Sequence, residues 1–282
     1  FTQANNELVI QLPQTVASGT QGEVKISYAG TPPNDNEAFT QSYHNNTPII
    51  WTLSEPFGAK DWWPCKQSLN DKVDAIDIYI TAPTAMVSVA NGVEQSQVTN
   101  NNDTKTTHFK HNFPIPAYLV AIAVTDYQIY NQTAGSAPNT FPVVNYLYPE
   151  NYNSSVSQLA VTLPIMDVFE ELFGTYPFHT EKYGHAEFGW GGGMEHTTVS
   201  FMGGFSRGLI AHELAHHWFG NKVTCGSWKD IWINEGFAEY MAGLVVEHLD
   251  GQNQFDSWKG GKINSITSAP AGNVYLTDAQ AL

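Results

Sequence analysis

The chain has 282 residues, enough for one large or two ordinary domains with real cores. Apolar residues make up 42% of it, yet no uninterrupted apolar run reaches the ~18 residues that read as a membrane-spanning helix. Twelve basic against twenty-seven acidic residues leave a net charge of −15, which argues against nucleic acid or an anionic membrane as partner.

Residues 1 to 149 read as β-structure. ELVIQLP (7–13) and EVKISYA (23–29) alternate apolar and polar positions as half-buried strands do, with Val24, Ile26 and Tyr28 on one face of the second. The segment 52–71 carries two tryptophans, two prolines and mixed charges without alternation and reads as an ordered loop or edge. VDAIDIYITAP (73–83) places Ile76, Ile78 and Ile80 on one side, and Asn91-Gly92 marks a tight hairpin turn. The polar stretch 97–107 reads as an exposed loop, and AYLVAIAV (117–124) as a strand covered on both faces. QTAGSAPNT (132–140) is loop-like, and FPVVNYLYPE (141–150) reads as a last strand. No helix of ordinary length is expected here, so this half is an all-β domain of two packed sheets.

After Pro149 the period changes. Residues 154–174 carry Val156, Leu159, Ala160 and Leu163 on one helical stripe, Pro164 should kink or split the helix, and Gly174 should stop it. A boundary near 149 divides the chain into 1–149 and 150–282. From Tyr176 to Phe205 glycines and aromatics dominate, and three consecutive glycines, Gly191 to Gly193, suit a backbone that passes close to a bound peptide.

The stretch from His212 to Glu235 holds the chemistry. His212 and His216 are four residues apart, so on a helix both imidazoles reach one metal ion from one face, with Glu213 beside them as a general base. A catalytic zinc needs a third protein ligand, and Glu235 is the candidate. Turn formers between the two put a helix end near Gly220 and a second helix start near Asn234, which carries Glu235 back to the metal. Glu239, one turn further on, either orients His212 or His216 through its distal nitrogen or is a solvated helix acid. His217 faces another side of its helix and reads as packing. Cys65 and Cys225 are too few for a disulfide framework and read as separate thiols.

H-E-x-x-H followed by a Glu within Asn-Glu-Gly resembles the gluzincin zinc aminopeptidases, the family of aminopeptidase N and the leukotriene epoxide hydrolase. GGMEH (192–196), preceded by TYPF (175–178) and EKYGH (181–185), is similar to the family's Gly-x-Met-Glu-Asn region, with His196 in place of Asn. The resemblance implies an all-β N-terminal domain of saddle or sandwich-like sheets followed by a thermolysin-like α+β catalytic domain truncated at its C-terminus. It also implies one Zn2+ per chain on His212, His216 and Glu235, with Glu213 as the base. Glu195 and Glu55, the latter upstream of Pro64-Cys65, would hold a substrate's free amine, and Gly192, Gly193 and Met194 would line the bound peptide. His196 would be a core or supporting histidine rather than a ligand.

The expected activity is therefore release of N-terminal residues from peptides by zinc-activated water. Two other readings stand beside it: an epoxide hydrolase-like member on the same site, and a non-catalytic metal-binding module, against which the intact Glu213 speaks. The family's oxyanion-stabilising tyrosine falls beyond Leu282, and Tyr275 is too early for it. The chain is thus expected to lack its C-terminal region as a partner and to be weakly active or inactive by itself. Phe1 in place of Met reads as a trimmed start. Low lysine with many Asn, Thr and Ser leans towards a secreted or periplasmic protein over a cytoplasmic one.

Overall fold

Alternation of apolar and polar residues becomes strand pairing in the first half of the chain. The computed structural model describes residues 1–33, 37–269 and 275–278. β1 (Thr2–Ala4) and β2 (Glu7–Val9) form a short hairpin. β3 (Thr40–His44) and β4 (Thr47–Trp51) are joined through Asn45 and Asn46, both at positive φ (41° and 66°), where asparagine is tolerated. There follow β5 (Ile76–Pro83), β6 (Val87–Ala90), β7 (Val93–Thr99), β8 (Thr104–His111) and β9 (Ile122–Thr125). They form two sheets, ordered β3-β4-β9-β6 and β5-β8-β7. Ile80, Ala82, Ala90 and Phe109 fill the space between these sheets, with Ile78 packed against them. The expected isoleucine face of β5 is therefore the inner one, and Tyr79 on its other face is exposed.

The second half is organised on a mixed sheet. β10 (Gln128–Ala134) and β11 (Phe141–Leu147) lead through α1 (Tyr152–Leu159) and α2 (Thr162–Phe173) to β12 (Tyr183–Glu187), β13 (Gly193–Met194) and β14 (Ser200–Met202). The order is β10-β11-β12-β14-β13, parallel in the centre and antiparallel at both edges. Three helices complete the fold: α3 (Arg207–Ala215), α4 (Trp232–Asp250) and α5 (Gln252–Ser268). Side chains alternate across the mixed sheet. Val143, Leu147, Tyr183 and Met202 pack with Phe169, Leu214 and Met241 of the helical layer. Tyr146, Ala186 and Phe201 face the other way and pack with Trp51, Val89 and Leu119 of the N-terminal sheets. The mixed sheet is thus buried on both sides, as parallel strands require.

Several elements differ from the sequence expectation, each for a tertiary reason. EVKISYA is not a strand: Val24, Ile26 and Tyr28 are exposed, and no strand among the described residues pairs with the segment. Asn91-Gly92 is not a hairpin, because β6 pairs with β9 while β7 pairs with β8, and the dipeptide turns the chain from one sheet into the other. Gly92 has φ +77°, and a Cβ there would lie 2.0 Å from the Lys110 carbonyl oxygen, so the corner accepts only glycine. Residues 97–107 are mostly strand, the ends of the β7–β8 hairpin around a turn at 100–103. AYLVAIAV splits into a 3-10 turn at Ala117–Leu119 and β9. The helix expected over 154–174 breaks between Leu159 and Thr162, and Pro164 sits in the first turn of α2, where its missing N–H costs nothing. Ala160, expected on the apolar stripe, is exposed at this break. The hydrogen-bonded sheet runs across residue 149, since β10 and β11 pair on into β12.

A buried ion pair ties the two halves together. His111 Nδ1, at the end of β8, donates to Glu181 Oε2 at 2.6 Å, and the Asn112 N–H donates to Glu181 Oε1 at 2.7 Å. Burial works to raise the Glu181 carboxyl, but these hydrogen bonds and the His111 charge outweigh it and hold it below its ordinary value of 4.5. Its contribution to stability is therefore complete above the ordinary carboxylate range and is lost as pH falls through the lowered value. Glu181→Gln should cost on the order of 1–3 kcal/mol at pH 7. In thermal unfolding, the gap between variant and parent should narrow as the pH is taken below about 4.

Candidate active site

Three chain segments converge beside β13. α3 starts at Ser206, whose hydroxyl accepts the Leu209 N–H at 3.3 Å. That cap sets the helix register, which puts Glu213 into the interior and His212 and His216 on one face. The helix winds down beyond Ala215, and Asn221 fixes the following loop by donating from Nδ2 to the Glu195 carbonyl at 2.8 Å. α4 then begins at Trp232, with Glu235 in its first turn. His212, His216 and Glu235 bring their donor atoms within 4.8 Å of one another.

The protons in this cluster are constrained. His216 Nδ1–H donates to the Phe219 carbonyl at 3.2 Å, which leaves its Nε2 as a lone pair. His212 Nδ1 lies 3.4 Å from Glu239 Oε2. The two Nε2 atoms face each other at 3.1 Å, with Glu235 carboxylate oxygens 3.2 Å from His212 Nε2 and 3.7 Å from His216 Nε2. A single proton on His212 satisfies part of this triangle; one divalent cation satisfies all of it. Two imidazole nitrogens and a carboxylate are also the donor set that suits zinc. The residues therefore fit the metal.

The surroundings are strongly acidic. Burial would lower His212, but hydrogen bonds to Glu235 and Glu239 and the nearby Glu213 charge hold it up at about 10. Glu235 moves the opposite way: burial would raise it, and the two histidines bring it below its ordinary value. Glu213 is pushed up to about 8, chiefly by burial, with Glu195 and Glu235 adding to the effect and His212 opposing it. Glu195 is raised by burial as well. Glu55 is raised well above the carboxylate range by burial and by the charges of Glu195, Glu235 and Glu213. Four carboxylates thus share one electrostatic environment.

Gly193 lies on β13, and a Cβ there would come within 2.4 Å of Glu213 Oε1, so the glutamate side chain occupies the space that a larger residue would need. Gly192 is packed under the Trp190 ring. The Met194 side chain is buried in the core, which leaves its backbone as the part available to a ligand. Glu239 binds His212 on one side and Lys262 of α5 on the other, which together bring its carboxyl down to about 2. His196 is fully buried edge-on to Phe201 at 4.4 Å, is held down at about 3 by burial, and stands apart from the metal cluster. His217 is buried and hydrogen-bonded to the Tyr176 hydroxyl at 2.9 Å. Cys65 and Cys225 are both free.

Sequence reasoning missed three contributors. Tyr118 donates to Glu195 Oε1 at 3.3 Å and accepts from Asn234 Nδ2 at 3.3 Å. Asn234 in turn accepts the Cys225 N–H at 3.1 Å. The one signal for Tyr118 was a hydroxyl inside an otherwise apolar run. Lys262 gave none, since nothing local ties it to residue 239.

The peptidase family M1 domain matches residues 206–274, and the peptidase M1 N-terminal domain matches residues 1–119. The glutamyl aminopeptidase of Rattus norvegicus is 29% identical over 224 residues, 73% of this chain and 23% of that protein. Leucine aminopeptidase 2 of Vanderwaltozyma polyspora is 28% identical over 260 residues, 88% of this chain and 38% of that protein. The chain thus spans well under half the length of these curated relatives. The M1 zinc metallopeptidase of Deinococcus radiodurans superposes with a TM-score of 0.73 at 24% identity, covering 89% of this chain and 59% of that one. A mutant of the same protein bound to a Tyr-Ser-Ala substrate gives a TM-score of 0.74. Both show the same fold.

The geometry sets an expectation for metal content. By elemental analysis the protein should carry about one zinc per chain. His212→Ala and Glu235→Ala should each abolish most of it, whereas Glu213→Gln should retain it. Chelation should lower the thermal midpoint of the parent and leave that of His212→Ala nearly unchanged.

Proposed function

The chain belongs to peptidase family M1, and on that premise we propose that the full-length protein is a zinc aminopeptidase releasing N-terminal residues from peptides. The observation that carries this reading is the meeting of His212, His216 and Glu235 around one point, bordered by three further acids, Glu213, Glu195 and Glu55. Relatives named glutamyl and leucine aminopeptidases support it.

His212, His216 and Glu235 would hold the zinc, with Glu239 fixing the His212 ring through Nδ1. Zinc bound there would supply Lewis-acid polarisation of the scissile carbonyl and acidify a water. Glu213 takes up the proton released from the attacking water and returns it to the departing amine, a task suited to a buried carboxyl whose affinity for protons is raised. Glu195 and Glu55 neutralise the substrate's ammonium group and so set the first peptide bond over the metal ligands. Burial, which strengthens every charge interaction here, makes an uncompensated pair of glutamates costly and a cationic occupant favourable. β13, paired only with β14 among the described residues, offers a free edge along which a peptide backbone can lie.

In the full-length protein, Glu213→Gln should reduce kcat by 10²-fold or more with zinc retained. Glu195→Ala should raise KM for a free-amine peptide while leaving zinc content unchanged. Acetylating the substrate's N-terminus should abolish cleavage by the parent. Cleavage of the acetylated peptide at a comparable rate would assign the site to an endopeptidase. Residues 1–282 alone should turn over at least about a hundredfold more slowly than the full-length protein, because the family resemblance puts an oxyanion-donating tyrosine beyond them.

A further inference from the structure

We infer that Tyr118, carried by the N-terminal half, is a positioning residue for Glu195 and that Asn234 sets the direction in which its hydroxyl donates. The inference rests on the reading of Glu195 as a ligand of the substrate amine.

The argument follows the protons. The Cys225 backbone N–H can only donate, and it meets Asn234 Oδ1 at 3.1 Å. That contact fixes the orientation of the Asn234 amide, so its NH2 group is the one turned to the Tyr118 oxygen at 3.3 Å. With a lone pair of that oxygen engaged, the single Tyr118 hydrogen goes to Glu195 Oε1 at 3.3 Å. All three side chains are buried, so water does not compete for these bonds. One Glu195 oxygen is thereby anchored and its carboxylate plane is set, which leaves Oε2 to meet an incoming cation. Asn234 immediately precedes the proposed zinc ligand Glu235, so the same three-bond chain ties the amine pocket to the start of α4. Tyr118 packs edge-to-face on Trp228 at 4.9 Å, which fixes the ring that carries the hydroxyl. The distance between amine site and metal site is therefore set across the junction of the two halves, by a residue remote in sequence from both.

The test uses the full-length, zinc-loaded protein and two calorimetric probes, L-leucine hydroxamate and its des-amino counterpart 4-methylpentanohydroxamate. The ratio of their Kd values reports the amine's share of binding. Tyr118→Phe keeps the ring and removes the hydroxyl. It should reduce this ratio about tenfold or more, the loss expected for a hydrogen bond to a charged group, with the des-amino Kd within about twofold of the parent. In turnover of leucine anilide the effect should fall on KM rather than kcat. Asn234→Asp is close in shape and offers the hydroxyl a competing acceptor, so it should reduce the ratio in the same direction. Equal weakening of both probes, or an unchanged ratio in the two variants, would overturn the inference. If Tyr118→Phe loses zinc or unfolds, the ratio measured on Asn234→Asp decides alone. A parent protein that does not distinguish the two probes would instead remove the aminopeptidase reading, an outcome visible before any variant is made.

Discussion

Charge compensation among closely spaced acids is the constraint on which the site depends. Glu55, Glu195, Glu213 and Glu235 share one electrostatic environment, and burial raises the first three above their ordinary range. A low-dielectric site cannot hold that many ionised carboxylates without positive charge between them. His212 supplies some of it by remaining protonated to about 10. Two faced imidazole nitrogens at 3.1 Å call for a cation of higher charge at the same point. The acids that repel one another in this low-dielectric site are those that make positive charge between them favourable.

The scaffold answers this with rigidity on both sides. The mixed sheet has helices against one face and the N-terminal sheets against the other, so β13 and the loop after it are fixed from two directions. The glutamates arrive on separate elements: Glu213 from α3, Glu235 from α4, Glu195 from the loop after β13 and Glu55 from the N-terminal half. Close packing sets their separations. Gly193 admits the Glu213 side chain, Asn221 holds the backbone of Glu195, and Tyr118 holds its carboxylate. Such polar contacts in a core are costly when incomplete, which gives the site its definition.

What could be read along the chain was whatever depends on near neighbours. The i, i+4 spacing of His212 and His216 needs only a helix to put both on one face, and the turn formers after Gly220 already implied the return of Glu235. The isoleucines of β5 and, Ala160 apart, the apolar stripe of the helical segment followed from period alone, although the break at Ala160–Val161 ends three residues before the proline expected to cause it. The failures share one cause. EVKISYA alternates like a strand but lacks a partner beside it among the described residues. Asn91-Gly92 has hairpin chemistry but joins two different sheets. Alternation describes what a segment can bury, and pairing decides what it does bury.

By itself, then, the sequence determined that His212 and His216 share one helical face beside Glu213, that Glu235 returns towards them, and that strands precede helices, because helical spacing, turn chemistry and strand periodicity are local. Tertiary structure alone decided that the sheet continues across residue 149, that the His196 ring packs edge-on against Phe201, and that Lys262 holds Glu239. It also decided that Tyr118 and Asn234 meet at Glu195. Those contacts join residues far apart in the chain, and no periodic pattern encodes a distance that arises only when two sheets and three helices close around one another.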